Sequence, residues 1–249
     1  MDYEKYGEVF RKGNVTLINC DCMDLIADAP ENHWQLSITD PPYGIGESGK
    51  KNESRGSAAA SPECLGSKNT TGAGVPSTQF AHKNWDNKPP SKEYFLEIER
   101  VSKNQIIWGA NHFMERIGRG SSCWIVWDKV NGTTDFADCE LAYTSFNTAV
   151  RKFVYVWNGM LQGDMKNKER RIHPAQKPVK LYEWLLSNYA KPGDRILDTH
   201  LGSGSSAIAA HYAGHDFVGI ELDKDYFDGA SERFKECTRQ IDIFAEPEQ

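Results

Sequence analysis

The stretch "RILDTHLGSGSSAIAAHYAGHDFVGIELD", residues 195–223, decides the fold. Its first four residues predict a buried strand, Gly202 and Gly204 predict a tight loop, and an alanine-rich helix follows. A second predicted strand ends at Glu221, about 20 residues after Gly202, which is the spacing of a carboxylate that bonds ribose hydroxyls. This order is typical of a site for a nucleoside-bearing cofactor, because the N–H groups of the helix N-terminus face the ligand.

The glycine loop alone leaves the kind of cofactor open. It lacks the third glycine of a dinucleotide fingerprint, which weakens the case for NAD. The chain also has no GxxxxGK[ST] loop for nucleotide phosphates. A tight turn that binds no ligand is the structural alternative.

The remaining sequence alternates predicted strands with predicted helices, which is typical of an α/β domain with a largely parallel sheet. The segments DCELAYTSF and KFVYVWNG are expected to be strands that form a hairpin or lie side by side. The other predicted strands are Val15–Asn19, Trp34–Thr39, NQIIWGA and SCWIVWDK, and the other predicted helices lie in Ser91–Lys103, NHFMERI, KPVKLYEWLLSNY and YFDGASERFKECTRQI.

The tetrapeptide DPPY, residues 40–43, directly follows the predicted strand Trp34–Thr39. It should therefore lie at the carboxyl edge of the sheet, where α/β folds bind ligands. Its prolines remove two backbone donors and fix two φ angles, which leaves rigid carbonyl acceptors beside the carboxylate of Asp40. Two acceptors and an aromatic face suit the amino group and ring of a base, which must be flipped out of a duplex to reach them. A proline-rich turn whose Asp caps a helix is the alternative.

Four short motifs occur in order along the chain: DPPY at 40–43, HPAQKP at 173–178, LDTHLGSGS at 197–205 and GIE at 219–221. Together they resemble the S-adenosylmethionine-dependent amino methyltransferases of DNA, whose patterns are [DNS]-P-P-[YFW], H-P-x-x-K-P, L-D-P-F-x-G-S-G-T and G-x-E. The catalytic motif precedes the cofactor loop, as in the permuted β group of that family.

The resemblance implies a class I methyltransferase fold in circularly permuted motif order. This is a Rossmann-like α/β fold whose mostly parallel, seven-stranded sheet includes an antiparallel strand. The implied cofactor is S-adenosyl-L-methionine, and residues 1–249 are expected to form a single methyltransferase domain.

The resemblance also assigns roles to individual residues. Asp40 and the carbonyl of Pro41 would bind the target amino group, and Tyr43 would stack on the base. Lys177 would approach the methionine carboxylate, and Glu221 would bond the ribose hydroxyls. The implied catalytic residues are Asp40, Pro41, Pro42 and Tyr43, and the implied cofactor-binding residues are Asp21, Cys22, Asp40, Lys177, Asp198, His200, Gly202, Ser203, Gly204, Ser205 and Glu221.

The cofactor motif departs from the family pattern at three positions. Thr199 and His200 replace the usual Pro-Phe, and Ser205 replaces the usual Thr. The missing Phe removes an apolar face near the cofactor. His200 is either a loop histidine satisfied by internal partners or a ligand contact.

The charge distribution bears on DNA binding. The chain has a net charge of −6, yet residues 151–180 contain eight basic and two acidic side chains. Binding depends on where charge lies, so this segment can contact phosphates. A target-recognition region is expected at about 151–175, with Lys166, Lys168, Arg170 and Arg171 on DNA. A solvated charged loop is the alternative.

A long segment, residues 44–90, follows the catalytic motif and is rich in Gly, Ser, Asn and Lys. It is expected to be a flexible loop that either covers a ligand or is plainly disordered. Because the recognition region is short, this loop or a second subunit is expected to complete the DNA contact, and a homodimer is hypothesised.

Composition excludes several other classes of protein. The six cysteines form no C-x-x-C pair, so neither a zinc ribbon nor a dithiol site is expected. No apolar run is long enough to span a membrane, and the first residues do not resemble a signal peptide. A cytoplasmic enzyme of prokaryotic or phage origin is expected, with no metal.

The predicted function is site-specific methylation of adenine N6 in DNA. The leading Asp of DPPY favours adenine. The chain has no Pro-Cys dipeptide, whereas cytosine-C5 enzymes need a cysteine nucleophile in that setting. The alternatives are N4-cytosine methylation, methylation of RNA or of protein glutamine, a catalytically silent DNA-binding homologue, and another nucleotide-binding protein. Pairing with a restriction nuclease is a further possibility.

Overall fold

The computed structural model describes residues 1–46, 83–131, 137–158 and 161–239. The flexible loop predicted for 44–90 therefore lies mostly outside the described residues. The strands are β1 (Glu8–Lys12), β2 (Val15–Asn19), β3 (Trp34–Thr39), β4 (Ser102–Trp108), β5 (Ile125–Asp128), β6 (Cys139–Thr144), β7 (Arg151–Val154), β8 (Trp157–Asn158), β9 (Leu161–Gln162), β10 (Arg195–Asp198) and β11 (Asp216–Glu221). The helices are α1 (Cys22–Asp28), α2 (Lys92–Val101), α3 (Met114–Ile117), α4 (Val179–Tyr189), α5 (Ser205–Ala213) and α6 (Lys224–Thr238), with a 3₁₀ turn at Ala110–His112.

One large sheet has the strand order β1-β2-β11-β10-β3-β4-β6-β5-β7. Only β1 and β6 run against the others, so the expected mostly parallel α/β architecture is confirmed. The sheet has nine strands, not the seven that were expected. The extra edge beside β2 forms because Gly13, at φ +57°, closes a two-residue turn that pairs Lys12 with Val15.

The prediction that DCELAYTSF and KFVYVWNG pair with each other is wrong. They form β6 and β7, but β5 lies between them, antiparallel to β6 and parallel to β7. The alternation of apolar residues indicates that a segment is a strand, whereas it does not identify the neighbouring strand.

Helices cover both faces of the sheet. Apolar residues of α4, α5 and α6 pack on one face, and those of α1 and α2 pack on the other. The first six residues of α5 are all buried, which explains its run of small alanine and serine side chains between the sheet and α4. None of the helices in the described part of the chain could cross a membrane.

The strand order reverses beside β10. The chain leaves β10 through α5 to reach β11 on one side, whereas β3 leads through α2 to β4 on the other side. A crevice forms at the carboxyl ends of strands where such a reversal occurs. Because β10 and β3 are parallel neighbours, Asp198 at the end of β10 and Asp40 just after β3 lie at this same edge.

Candidate active site

A cleft of about 1120 Å³ opens at the carboxyl edge of the sheet. Pockets of roughly 300–1000 Å³ hold single small ligands, so this cleft has room for a cofactor and part of a second substrate. It is lined by the DPPY tetrapeptide, the loop after β10, the end of β11, residues 83–86 and residues 171–177. The structure thus brings together segments that are more than 150 residues apart in sequence.

The predicted catalytic tetrapeptide lies on one wall of the cleft. The Tyr43 hydroxyl donates a hydrogen bond of 2.6 Å to Oδ1 of Asp40. The Tyr43 ring stacks on His112, with centroids 5.1 Å apart, and lies so close to Gly109 that a Cβ there would be 2.0 Å from the ring. Gly109 has φ +66°, so both its conformation and its missing side chain are required for this position of Tyr43.

Asp86 holds the backbone that leaves this tetrapeptide. Its buried carboxylate accepts hydrogen bonds from the N–H groups of Tyr43 at 2.7 Å and Gly44 at 2.9 Å. The N–H of Gly46 donates to the Asp86 carbonyl at 3.1 Å. Sequence reasoning missed Asp86, because it lies at the far end of a segment with no regular pattern.

Lys177 lies against the carboxylate of Asp40. Its ammonium is ion-paired with Asp40, lies 3.2 Å from Oε2 of Glu140 and donates to the Tyr43 hydroxyl at 3.1 Å. The Lys177 side chain is 5% exposed and that of Asp40 is 15% exposed, so water screens these contacts only weakly. In the structure Lys177 contacts Asp40, Glu140 and Tyr43, and its predicted contact with the cofactor carboxylate stays a prediction.

Glu140 is a site residue that the sequence did not reveal. It also forms an ion pair with Lys129, so the lysines at 129 and 177 flank it. Its only sequence signal is a lone acid within the apolar strand CELAYT. The pairing of β6 between β4 and β5, which the sequence did not predict, brings this acid to the cleft.

The charges of this group shift one another's pKa. Burial raises the pKa of Asp40, Lys177 opposes that rise, and Glu140 adds to it. Burial alone would raise the pKa of Glu140, but Lys177 and Lys129 together lower it. The pKa of Lys177 is raised, because the attraction of Asp40 and Glu140 exceeds the effect of its burial. Glu140 and Lys177 are therefore both charged at neutral pH.

The predicted cofactor side lies on the opposite wall. Glu221 accepts hydrogen bonds from the N–H groups of Gly202 at 2.8 Å and Asp223 at 2.9 Å. Gly202 has φ +53°, which brings its backbone to the surface of the cleft beside Ser203. Asp21 accepts from the N–H of Met23 at 2.8 Å and caps α1. The predicted residues on this wall are Asp21, Cys22, His200, Gly202, Ser203 and Glu221.

Three predicted cofactor residues lie behind this wall. Asp198 is 1% exposed and accepts hydrogen bonds from the hydroxyl of Ser206 at 2.6 Å and the N–H of His200 at 3.0 Å. The Ser205 hydroxyl is bonded to Arg233 at 2.9 Å, and a Cβ on Gly204 would lie 3.3 Å from Ala230. Asp198, Gly204 and Ser205 thus support the loop from below.

Arg233 on α6 anchors this loop. Its guanidinium donates to the Ser203 carbonyl at 2.7 Å and is ion-paired with Glu169 at 2.6 Å. Glu169 also accepts from the N–H of Val179 at 2.9 Å. One buried cation therefore links α6 to both the cofactor loop and the segment that precedes α4.

His200 belongs to a cluster of hydroxyl groups. Its Nδ1 lies 3.0–3.5 Å from the hydroxyls of Thr199, Thr39 and Tyr94, and Thr39 and Thr199 are 2.8 Å apart. Burial lowers the pKa of His200 to about 4, so the ring is neutral at neutral pH. These polar contacts join the ends of β3 and β10 where the family pattern has Pro-Phe, and the histidine ring lines the cleft.

The buried carboxyl of Asp198 predicts a dependence of stability on pH. Burial raises its pKa from 3.8 to about 7, so the unfolded chain releases this proton near pH 4 and the folded protein only near pH 7. Asp198 therefore makes the protein progressively less stable as pH rises through this interval. We expect Asp198→Asn to raise the free energy of unfolding by about 1 to 4 kcal/mol at pH 8 and by little at pH 4.

Urea denaturation of both proteins at each pH measures this difference. Asp194→Asn, at a partly exposed position just before β10, serves as the control. An equal effect of Asp198→Asn at pH 4 and pH 8 would contradict the expectation.

The predicted DNA-binding residues lie together on one loop. Lys166, Lys168 and Arg170 are exposed, whereas Arg171 is partly buried, lines the cleft and donates to the Pro174 carbonyl at 2.6 Å. The side chain of Gln162 bonds both backbone groups of Glu169, at 2.7 and 2.9 Å, which closes the loop on itself. The predicted recognition region, 151–175, includes this loop together with β7, β8 and β9.

The chemistry of the two walls fits a cofactor that has a nucleoside at one end and a charged group at the other. Carboxylates of Asp21 and Glu221 on one wall are acceptors for hydroxyl and amino groups. The glycine backbone at Gly202 permits a close approach. The DPPY tetrapeptide lines the same cleft.

Sequence comparison identifies relatives among DNA-modifying enzymes. Residues 128–232 match the N6/N4 family model described as DNA methylase, a match that includes the cofactor loop but not DPPY. The chain is 24% identical to the type II methyltransferase M.HinfI of Haemophilus influenzae over 264 residues, which covers 89% of this chain and 68% of that protein. It is 37% identical to the type II methyltransferase M.HpaI of Haemophilus parainfluenzae over 67 residues, or 27% of this chain and 21% of that protein.

Structural comparison supports the fold. The complex of M1.HpyAVI with SAM matches with a TM-score of 0.51 at 20% identity, over 88% of this chain and 98% of that chain. The cytosine-N4-specific PvuII DNA methyltransferase matches with a TM-score of 0.53 at 10% identity, over 94% and 96%. At these identities the likeness concerns architecture, and it confirms the class I methyltransferase fold.

Proposed function

We propose that this chain, which matches the N6/N4 family model of DNA methylases over residues 128–232, methylates N6 of adenine in DNA. One observation carries the proposal. The tetrapeptide that can bind an amino group and the glycine loop that can bind the cofactor follow two parallel strands paired side by side, Leu36 with Ile196 and Ser37 with Leu197. Both motifs therefore face one cleft.

The residues of the cleft have separable roles in this proposal. S-adenosylmethionine supplies an electrophilic methyl group when bound. Asp40 and the Pro41 carbonyl accept the two hydrogens of the target amino group, which directs the nitrogen lone pair away from the ring. Tyr43 and Pro42 fix these acceptors and flank the base. Residues on the opposite wall, namely Asp21, Cys22, His200, Gly202, Ser203 and Glu221, hold the cofactor, supported by Asp198, Gly204 and Ser205.

Adenine is proposed as the target because the first residue of the tetrapeptide is an aspartate. The test is to incubate the protein with unmethylated genomic DNA and methyl-labelled S-adenosylmethionine, then digest the DNA and separate the nucleosides. Label in N6-methyladenine is the expected result. Label in N4-methylcytosine would overturn the choice of base, and no label in either would mark a silent homologue. RNA as substrate serves as the control.

We propose that Lys166, Lys168, Arg170 and Arg171 contact DNA phosphates. Each phosphate contact that is lost lowers the steepness of the plot of log K against log salt by about 0.9. The triple alanine variant at 166, 168 and 170 is therefore expected to bind duplex DNA more weakly, with a salt slope lower by about 2 to 3. Fluorescence anisotropy over a salt series measures this slope.

Alanine at Lys103 and Lys191, which are exposed elsewhere, is the matched control. A triple variant with the slope of the wild type would show that the loop is a solvated surface. The same binding measurements with RNA in place of duplex DNA would test whether the loop contacts nucleic acids in general.

We further propose that the enzyme works as a homodimer in the cytoplasm and that a nuclease recognises the same DNA sequence. The short recognition loop supports the first part, and likeness to two type II methyltransferases supports the second. Analytical ultracentrifugation that shows only monomer at working concentration would refute the dimer. If methylated DNA is still cleaved by every restriction nuclease of a broad panel, this result would count against a nuclease that recognises the same DNA sequence.

A further inference from the structure

A second, partly buried carboxylate shares a cation with the carboxylate of Asp40. Glu140 comes from β6, whereas Asp40 follows β3, and neither sequence motif nor family pattern connects them. They meet at one ammonium: Lys177 is ion-paired with Asp40 and lies 3.2 Å from Glu140. Lys129 pairs with the other oxygen of Glu140.

The four charges form a balanced set of two carboxylates and two ammonium groups in a poorly screened place. Such a set is stable only while every member keeps its partners, because an unpaired buried charge is costly. Without the charge of Glu140, the Lys177 ammonium would face Asp40 alone. It would then compete directly with any amino group for the lone pairs of that carboxylate.

We propose that Glu140 is a positioning residue for methyl transfer, which shares the ammonium of Lys177 with Asp40 and so keeps the Asp40 carboxylate available to the amino group of the target base. The inference rests on the proposed function and deepens it. Glu140 acts through Lys177 and touches neither the transferred methyl group nor the target nitrogen.

The surroundings of Asp40 define what a pH measurement reports. The titratable and charged groups that act on it are Lys177 before α4, Tyr182 on α4, Glu140 on β6, Tyr43 in its own loop and Asp198 on β10. The ionised carboxylate of Asp40 binds the amino group, so activity falls on the acid side as Asp40 takes up a proton. Glu140 raises the pKa of Asp40, so removing its charge moves this acid limb to lower pH.

The variant that tests the proposal is Glu140→Gln, which keeps the shape and removes the charge. Single-turnover methylation of DNA from pH 5 to pH 9 gives the rate and the acid limb, which is the pH range where the rate falls on the acid side of the pH–rate profile. Calorimetry gives the affinity for S-adenosylmethionine. We expect a rate about 10 to 100-fold lower at pH 7.5, an acid limb at lower pH and a cofactor affinity within about threefold of the wild type. Glu31→Gln, an exposed glutamate far from the cleft, is the control.

Lys129→Met provides a change of opposite sign and does not depend on the folding of the first variant. Without Lys129, Glu140 draws Lys177 away from Asp40, so the acid limb is expected to move to higher pH. An unchanged rate in Glu140→Gln overturns the inference. So does a lower rate with an unshifted limb in either variant, because a purely structural role gives that result. If Glu140→Gln does not fold, the shift of the acid limb in Lys129→Met decides whether the inference holds.

Failure of the proposed function and failure of the role of Glu140 give different experimental results. A wild-type protein that transfers no methyl group to DNA refutes the proposed function, and the inference with it. An active wild type whose variants keep its pH profile refutes the inference alone.

Discussion

Replacing Asp40 with alanine is expected to lower the rate of methyl transfer by about 10³-fold or more. The change removes the carboxylate that accepts from Tyr43 and pairs with Lys177, so the amino group of the base loses its charged acceptor. The opposite wall of the cleft does not contain Asp40, so the affinity for S-adenosylmethionine should stay within about threefold. Single-turnover kinetics and calorimetry measure the two quantities separately.

Asp40→Asn is the matched variant for this experiment. Its amide keeps one acceptor oxygen of the same shape, so its rate is expected to lie between those of the wild type and the alanine variant. Full activity of Asp40→Ala on DNA would refute the proposed mechanism. Loss of cofactor binding together with activity would show instead that the change had disturbed the whole cleft.

The second large effect concerns stability. Arg233→Met is expected to lower the free energy of unfolding by about 3 to 5 kcal/mol, because it leaves Glu169 without its buried cation. It also removes the hydrogen bonds to the Ser203 carbonyl and the Ser205 hydroxyl, so the glycine loop loses its support from α6. Urea denaturation monitored by tryptophan fluorescence measures the change.

Two comparisons sharpen this result. In the double variant Arg233→Met with Glu169→Gln, the carboxylate no longer carries a charge, so part of the loss should be recovered. Lys224→Met, also on α6, breaks exposed ion pairs with Asp228 on that helix and with Glu8 on β1, and it should destabilise the protein much less than Arg233→Met. Equal losses in Arg233→Met and Lys224→Met would contradict the expectation.

The sequence predicted the parts of the fold that depend on local pattern. The bounds of β2, β3 and β10 are as predicted. The helix in Ser91–Lys103 forms as α2. These elements follow from residue spacing and end signals along a single stretch of chain, which sequence contains directly.

The remaining features depend on contacts between distant segments. Strand β5 lies between β6 and β7, and β6 also pairs with β4. The pairing of β6 with β4 and β5 brings Glu140 to Lys177. Likewise, nothing near Asp86 in sequence indicates that it bonds the backbone after DPPY. The structure brings most of the predicted site residues to one cleft, and it adds Glu140 and Asp86, which sequence reasoning did not identify.

The hydrogen bonds of Asp86 have a consequence for the backbone that follows DPPY. Gly46 and Asp86 meet through a backbone hydrogen bond of 3.1 Å, so the two ends of the stretch between them are fixed to each other. Tyr43 and Gly44 are therefore held by a residue more than 40 positions later in the chain, so the conformation of the backbone after DPPY depends on a contact that its own neighbours in sequence do not provide.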